Sequence, residues 1–256
     1  LSKKESDYLL YEEPMGTVSG VQTQIPVLLS EYQFQSKEDV DAYLELMKTT
    51  PDYFNSLIAF EQEKAQKGLF MASYTADTVI EQCQAFIDMG DSNYLISTFV
   101  DRIQKLTDLS ESEKSDYIQK NAYMLKTYVL PAYQQLIKTV VELKDSGKNE
   151  EGLCYLPNGK EYYELTVQAS TGSARTVPQL QKLTKNQMKD DLAAMKAVIG
   201  LTAEQAKETA VMESTDPKEI LNSLSLDIQK TFPKLPQTSV EVKYVPKAME
   251  AHLSPA

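Results

Sequence analysis

The sequence predicts a mainly α fold, a bundle-like array of about ten helices, from three observations. Helix-forming residues are abundant and glycine is scarce, with 9 Gly among 256 residues. Capping signals recur, each a Ser, Thr or Asp followed three residues later by Asp, Glu or Gln. Between them, apolar residues step by three or four, as one buried helical face requires. The span 1–256 is read as a single helical domain.

Taken in order, residues 1–35 are expected to be partly loop. "SDYLLYEEP" reads as the end of a helix begun upstream and stopped by Pro14. "MGTVSGVQTQIPVLL" places Gly16, Gly20 and Pro26 close together, which predicts a loop. "SKEDVDAYLELMKT" pairs Ser36 with Asp39 and aligns Val40, Tyr43, Leu44 and Met47 on one face. "TPDYFNSLIAFEQEKAQKG" opens with Pro51 in its first turn and stops at Gly68. "TADTVIEQCQAFIDMG" and "SNYLISTFVDRIQKL" follow.

The box Ser110/Glu113 introduces the longest periodic run, 110–145, with a stripe of Ile118, Ala122, Leu125, Val129, Ala132, Leu136, Val140 and Leu143. Pro131 is expected to kink it, because a proline removes one backbone donor. Three more capped helices are expected after Thr176, Thr202 and Asp216. Only at 238–245 does the period change. There Val240, Val242 and Tyr244 alternate with polar neighbours, which predicts one strand without a partner in this chain.

A net charge of −11 argues against nucleic acid, whose backbone binding needs a basic patch. No apolar run approaches the roughly 20 residues that cross a bilayer, so no membrane segment is expected. Cys83 and Cys154 are too few for a disulfide framework and are read as two independent buried thiols, with a single bridge between them as the alternative.

Catalytic chemistry is sparse. His252 is the single histidine, so the paired imidazoles of a zinc peptidase cannot be assembled, and a Ser or Cys nucleophile lacks its usual base. No nucleophile elbow, phosphate loop or dinucleotide fingerprint occurs. Adjacent carboxylates such as Glu12 and Glu13 or Asp190 and Asp191 read as solvated charge. The chain alone is therefore not expected to be an enzyme, and no catalytic or metal-binding residue is assigned to it.

Three features stand above this background as binding candidates. Gln22 sits with Gln24 in the predicted loop, where a polar side chain satisfies the loop's own backbone more often than a ligand. Tyr117, Tyr123, Tyr128 and Tyr133 recur along the long helix, a spacing commoner at a core edge than at a binding face. Finally, "LPNG" predicts a tight turn, with Pro157 fixing φ and Gly159 permitting φ > 0, before a helix that Gly172 ends. Lys160, Tyr162 and Tyr163 would cluster at that helix's N-terminus, where free N–H groups favour an anion, and Tyr155 and Arg175 flank the segment. A turn with a buried tyrosine is the plainer reading of the same residues.

"GVQTQIPVLL", "YVLPAYQQLI", "LPNGKEYYELTVQASTG" and "YVPKAMEAHLSPA" together resemble the bacterial domain-of-unknown-function family 885, in the version found in lipoproteins of Gram-positive gut bacteria. The resemblance spans nearly the whole chain. Members of that family are similar to gluzincin-type zinc metallopeptidases, mostly helical and channel-shaped. Their metal motif, of the type H-E-x-x-P-G-H, lies C-terminal to the segment matching "YVPKAMEAHLSPA", beyond Ala256.

The resemblance implies the N-terminal part of such a fold, forming walls or lid of a channel for a peptide substrate. It implies no cofactor in this chain and zinc in a longer parent, whose missing C-terminal catalytic part is the expected partner. The strand would precede the catalytic helices, and Leu156 to Tyr163 would line or support the channel. It also implies an extracytoplasmic lipoprotein and, through apolar stripes left exposed, a possible dimer. The alternative is a helical peptide- or glycan-binding surface module with no catalytic parent.

Overall fold

The computed structural model describes residues 7–149, 151–199 and 214–232, together with Val242, Tyr244, Val245 and Lys247. The chain divides into two compact units, residues 1–174 with 246–256, and residues 175–245.

In the first unit a 3-10 turn at Leu9–Tyr11 precedes α1 (Val21–Glu31), α2 (Lys37–Lys48), α3 (Thr50–Gln66), α4 (Ser73–Asp88) and α5 (Tyr94–Ile103). α6 (Glu111–Met124), a π turn (Leu125–Val129) and α7 (Leu130–Leu143) follow without a break, and after a 3-10 turn at Leu153–Tyr155 comes α8 (Gly159–Thr171). The second unit holds α9 (Val177–Ile199) and α10 (Pro217–Thr231). Among the described residues there is no strand. Most of 238–245 lies outside them, as does the helix expected after Thr202.

Capping residues set several helix starts. Asp39 accepts from the Ser36 N–H at 3.0 Å and Glu113 from the Ser110 N–H at 3.0 Å, closing both predicted boxes. In the second unit Gln179 accepts from the Thr176 N–H, and the Asp216 side chain from the Lys218 N–H. On α9, Leu183, Met188, Leu192 and Met195 are exposed.

The core of the first unit is the meeting of α7 with α3 and α4, flanked by α2, α5 and α6. The predicted stripe supplies it, with Leu125, Val129, Ala132, Leu136 and Val140 buried. Among the four tyrosines of that run, Tyr117 and Tyr133 are buried, Tyr128 is half-buried and Tyr123 is exposed. Tyr133 lies between Phe54 of α3 and Phe86 of α4, ring centroids 4.9 and 4.6 Å away. Cys83 is buried, which pushes its thiol up to about 12, but Cys154 is exposed, against the expectation of two buried thiols.

The segment "GVQTQIPVLL" is a helix and not the expected loop. Pro26 has no N–H to offer the Gln22 carbonyl four residues back. That oxygen is instead satisfied by the Tyr133 hydroxyl, which donates to it at 2.6 Å from the far side of the core. Arg102 holds the other end of α1, donating to the carbonyls of Leu29 at 3.0 Å and Tyr32 at 2.6 Å. Its guanidinium also lies over Phe34, 4.5 Å from the ring centroid.

At Pro131, where a kink is expected, the backbone makes the π turn. The Leu130 N–H reaches the Leu125 carbonyl five residues back.

Removing the Tyr133 hydroxyl leaves the buried Gln22 carbonyl without that donor. Tyr133→Phe should lower stability by about 1–3 kcal/mol in denaturant unfolding with no change in helix content. A second prediction concerns the α6 cap. Hydrogen bonds from Ser110, with Lys37 alongside, lower the Glu113 carboxyl to about 2. A depressed acid stabilises the fold above its ordinary 4.5 and loses that contribution as pH falls toward 2. The melting temperature of Glu113→Gln should therefore lie below wild type at neutral pH and converge with it in acid.

Candidate functional site

The stretch Leu153–Gly172 packs against the start of the chain. Leu156 is buried, Asn158 takes the left-handed conformation at φ 50°, and Gly159 is the first residue of α8. The positive φ thus falls one residue earlier than expected from sequence, and asparagine tolerates it. Gly159 is required for a different reason. A Cβ there would stand 1.9 Å from the Leu153 carbonyl oxygen. Gly172 ends α8 at φ 63°, as its position suggests.

Along α8, Tyr162 is half-buried and Leu165, almost one turn on, is buried. The facing wall is the segment Tyr8–Glu12. The Tyr11 hydroxyl donates to the Pro157 carbonyl, tying that wall to the turn. Tyr8, Tyr11 and Tyr162 form one aromatic group, with centroids 5.1 Å (Tyr8–Tyr11), 4.8 Å (Tyr11–Tyr162) and 5.6 Å (Tyr8–Tyr162) apart, resting on Leu69 and Leu156. Beside it opens a cleft of about 480 Å³ lined by Tyr8, Leu9, Glu12, Tyr162, Leu165 and Thr166. Burial raises the Tyr162 hydroxyl, with Glu12 and Glu13 adding to the effect. A carboxylate on the rim makes this cleft a poor host for the anion suggested by the α8 N-terminus.

Behind the Tyr8–Glu12 wall lies an ionic cluster. Lys64 of α3 is wholly buried, and its Nζ donates to the Glu12 carbonyl at 2.7 Å and lies 3.1 Å from Glu13 Oε2. Glu61, also buried, stands 3.7 Å from the same Nζ, and neither of its oxygens has a hydrogen-bond partner. Glu13, read from sequence as solvated charge, is exposed and pairs with the buried Lys64.

The sequence-derived candidates do not form one site. Tyr162 lines the cleft, whereas Tyr155, Lys160 and Tyr163 are exposed and are not part of its lining. Arg175 is exposed and belongs to the second unit. Gln22 is buried in α1, donating to the Gly16 carbonyl at 2.6 Å and to Gln82 Oε1 at 2.7 Å, so it satisfies local backbone next to a smaller cavity of about 240 Å³. Tyr8, Leu9 and Glu12 were not legible as site residues, since they meet α8 only through folding.

Among the described residues no three His, Cys, Asp or Glu side chains gather as a metal site. Also among them, no helix is long and apolar enough to cross a membrane.

Because the Leu153 carbonyl occupies the space a side chain would need, Gly159→Ala should push the 3-10 turn off α8 and cost about 3 kcal/mol in thermal or chemical unfolding. Cys154, in that turn, should react faster with a thiol reagent in the variant.

No curated protein matches the chain. Its fold is similar to a solved structure described as the "putative lipoprotein" from Colwellia psychrerythraea, with a TM-score of 0.77 at 17% identity, over 94% of this chain and 45% of that one. The chain thus spans less than half the length of that protein, and the likeness is one of fold. Residues 2–256 match the family model described as bacterial protein of unknown function (DUF885). With the match running over nearly its whole length, the chain belongs to the DUF885 family.

Proposed function

We propose that the chain is the non-catalytic, helical N-terminal part of a zinc-metallopeptidase-like protein, and that its tyrosine-walled cleft holds a peptide. The observation that carries this reading is the cleft of about 480 Å³ between Tyr8–Glu12 and α8. That volume falls within the range of ligand sites, and ring faces with a few polar groups suit an extended chain. Tyr8, Tyr162 and Leu165 offer apolar contact, while Thr166 and Glu12 offer polar partners at the edge.

Zinc, in this reading, belongs to the longer protein. The single His252 and the absence of a donor cluster among the described residues do not fit a zinc site. The coverage of 45% of the Colwellia protein is consistent with a longer relative. The same reading places the protein outside the cytoplasm, supported by the description of the Colwellia protein as a "putative lipoprotein".

Binding of a fluorescent peptide library to the 256-residue chain tests the cleft. Tyr162→Ala should weaken binding by about tenfold, the loss of one aromatic contact at a binding centre. Unchanged affinity in that variant and in Leu165→Asp would overturn the assignment of the cleft. Retention of glycans and not peptides would replace the ligand class by that of a glycan-binding surface module. Zinc-dependent hydrolysis by the 256-residue chain would overturn the non-catalytic role.

A further inference from the structure

We propose that Glu61 is a proton-operated latch on one wall of the cleft. Protonated, it leaves Lys64 bound to Glu12 and Glu13; ionised, it draws Lys64 away and releases the segment bearing Tyr8, Leu9, Tyr11 and Glu12. The latch regulates the site proposed above, and so its link to ligand binding rests on that reading.

The site gives the Glu61 carboxylate no hydrogen bond that would hold its charge. Glu61 is 1% exposed, and no donor reaches either of its oxygens. At 3.7 Å Lys64 Nζ is within ion-pair reach but too far for a hydrogen bond. Its bonds go to the opposite side, to the Glu12 carbonyl and Glu13 Oε2. With Glu61 protonated the cluster holds one positive and one negative charge and is balanced. Losing the proton to solvent puts two carboxylates against one ammonium in a dry site, which is costly unless Lys64 turns to Glu61 or water enters.

Either relief loosens the Tyr8–Glu12 wall. Glu13 is 41% exposed at its side chain, so it can give up Lys64 and be solvated, whereas Glu61 cannot. The charged groups acting on Glu61 are Lys64 from its own helix and Glu13 from the facing segment, and Glu12 acts in turn on Glu13.

The pH window follows from burial, which raises Glu61 from its ordinary 4.5 to about 7 while Lys64 opposes the rise. A carboxyl raised in the closed state favours closure below 4.5, and that advantage is lost as pH rises from 4.5 to about 7. Above that range both states are ionised and the difference is constant.

Hydrogen–deuterium exchange of the amides of Tyr8–Met15, corrected for intrinsic rates, reads the latch without any ligand. In the wild-type chain the opening equilibrium of this segment should increase by about one to two powers of ten from about pH 5 to about pH 7.5. Glu61→Gln, which keeps the neutral form, should hold the low-pH protection across the range. A flat wild-type profile, or the same rise in Glu61→Gln, overturns the proposal. Should that variant not fold, carbon NMR titration of Glu61 in wild-type protein replaces it, and a midpoint separated from the exchange transition by more than about one pH unit overturns the latch. Peptide binding in Tyr162→Ala stays a separate test, so a failed latch and a failed cleft give different results.

Discussion

The hydrogen bond from the Tyr133 hydroxyl to the Gln22 carbonyl is the interaction on which the first unit most depends. Pro26 would otherwise leave that oxygen buried and unpaired, at a cost comparable to a large share of a domain's net stability. Tyr133 is fully buried and touches both Phe54 and Phe86, so one side chain joins α1, α3, α4 and α7. α1 can carry a proline in its body because a residue 111 positions away completes its backbone bonding.

Lys64 plays the corresponding part at the start of the chain. A buried ammonium adds little net stability, since desolvation offsets most of its attraction, but it is directional. Its partners Glu12 and Glu13 fix where the leading segment crosses α3, and that crossing sets Tyr8 and Tyr11 against Tyr162. The aromatic cleft is therefore a consequence of where a charge is buried, as well as of apolar packing.

Local signals were legible in the sequence and distant ones were not. The boxes Ser36/Asp39 and Ser110/Glu113 act within one turn and could be read directly, as could the stripe from Leu125 to Val140. α1 runs against its local signals, because Gly16, Gly20 and Pro26 favour a loop unless a hydroxyl from α7 arrives, which no local window contains. In "LPNG" the turn was legible but not which residue bears the strain, since Gly159 is there for the Leu153 carbonyl. Of the cleft, Tyr162 was found by its place after a turn, whereas Tyr8 lies too far away in sequence to be joined to it. Glu61 and Lys64 did leave a trace. They continue the buried face of Phe54, Leu57 and Ile58 at steps of three, but charged residues on a stripe are normally read as its edge.

The π turn at Leu125–Val129 fixes the rotational phase between two parts of one continuous rod. Each helical residue advances the side-chain direction by about 100°, so the extra residue in the wide turn offsets everything after it by that angle. Deleting one residue there would give a straighter rod and swing Tyr133 round its circumference, away from the α1 carbonyl it serves. A local irregularity in one helix thereby determines whether another helix, far earlier in the chain, can exist.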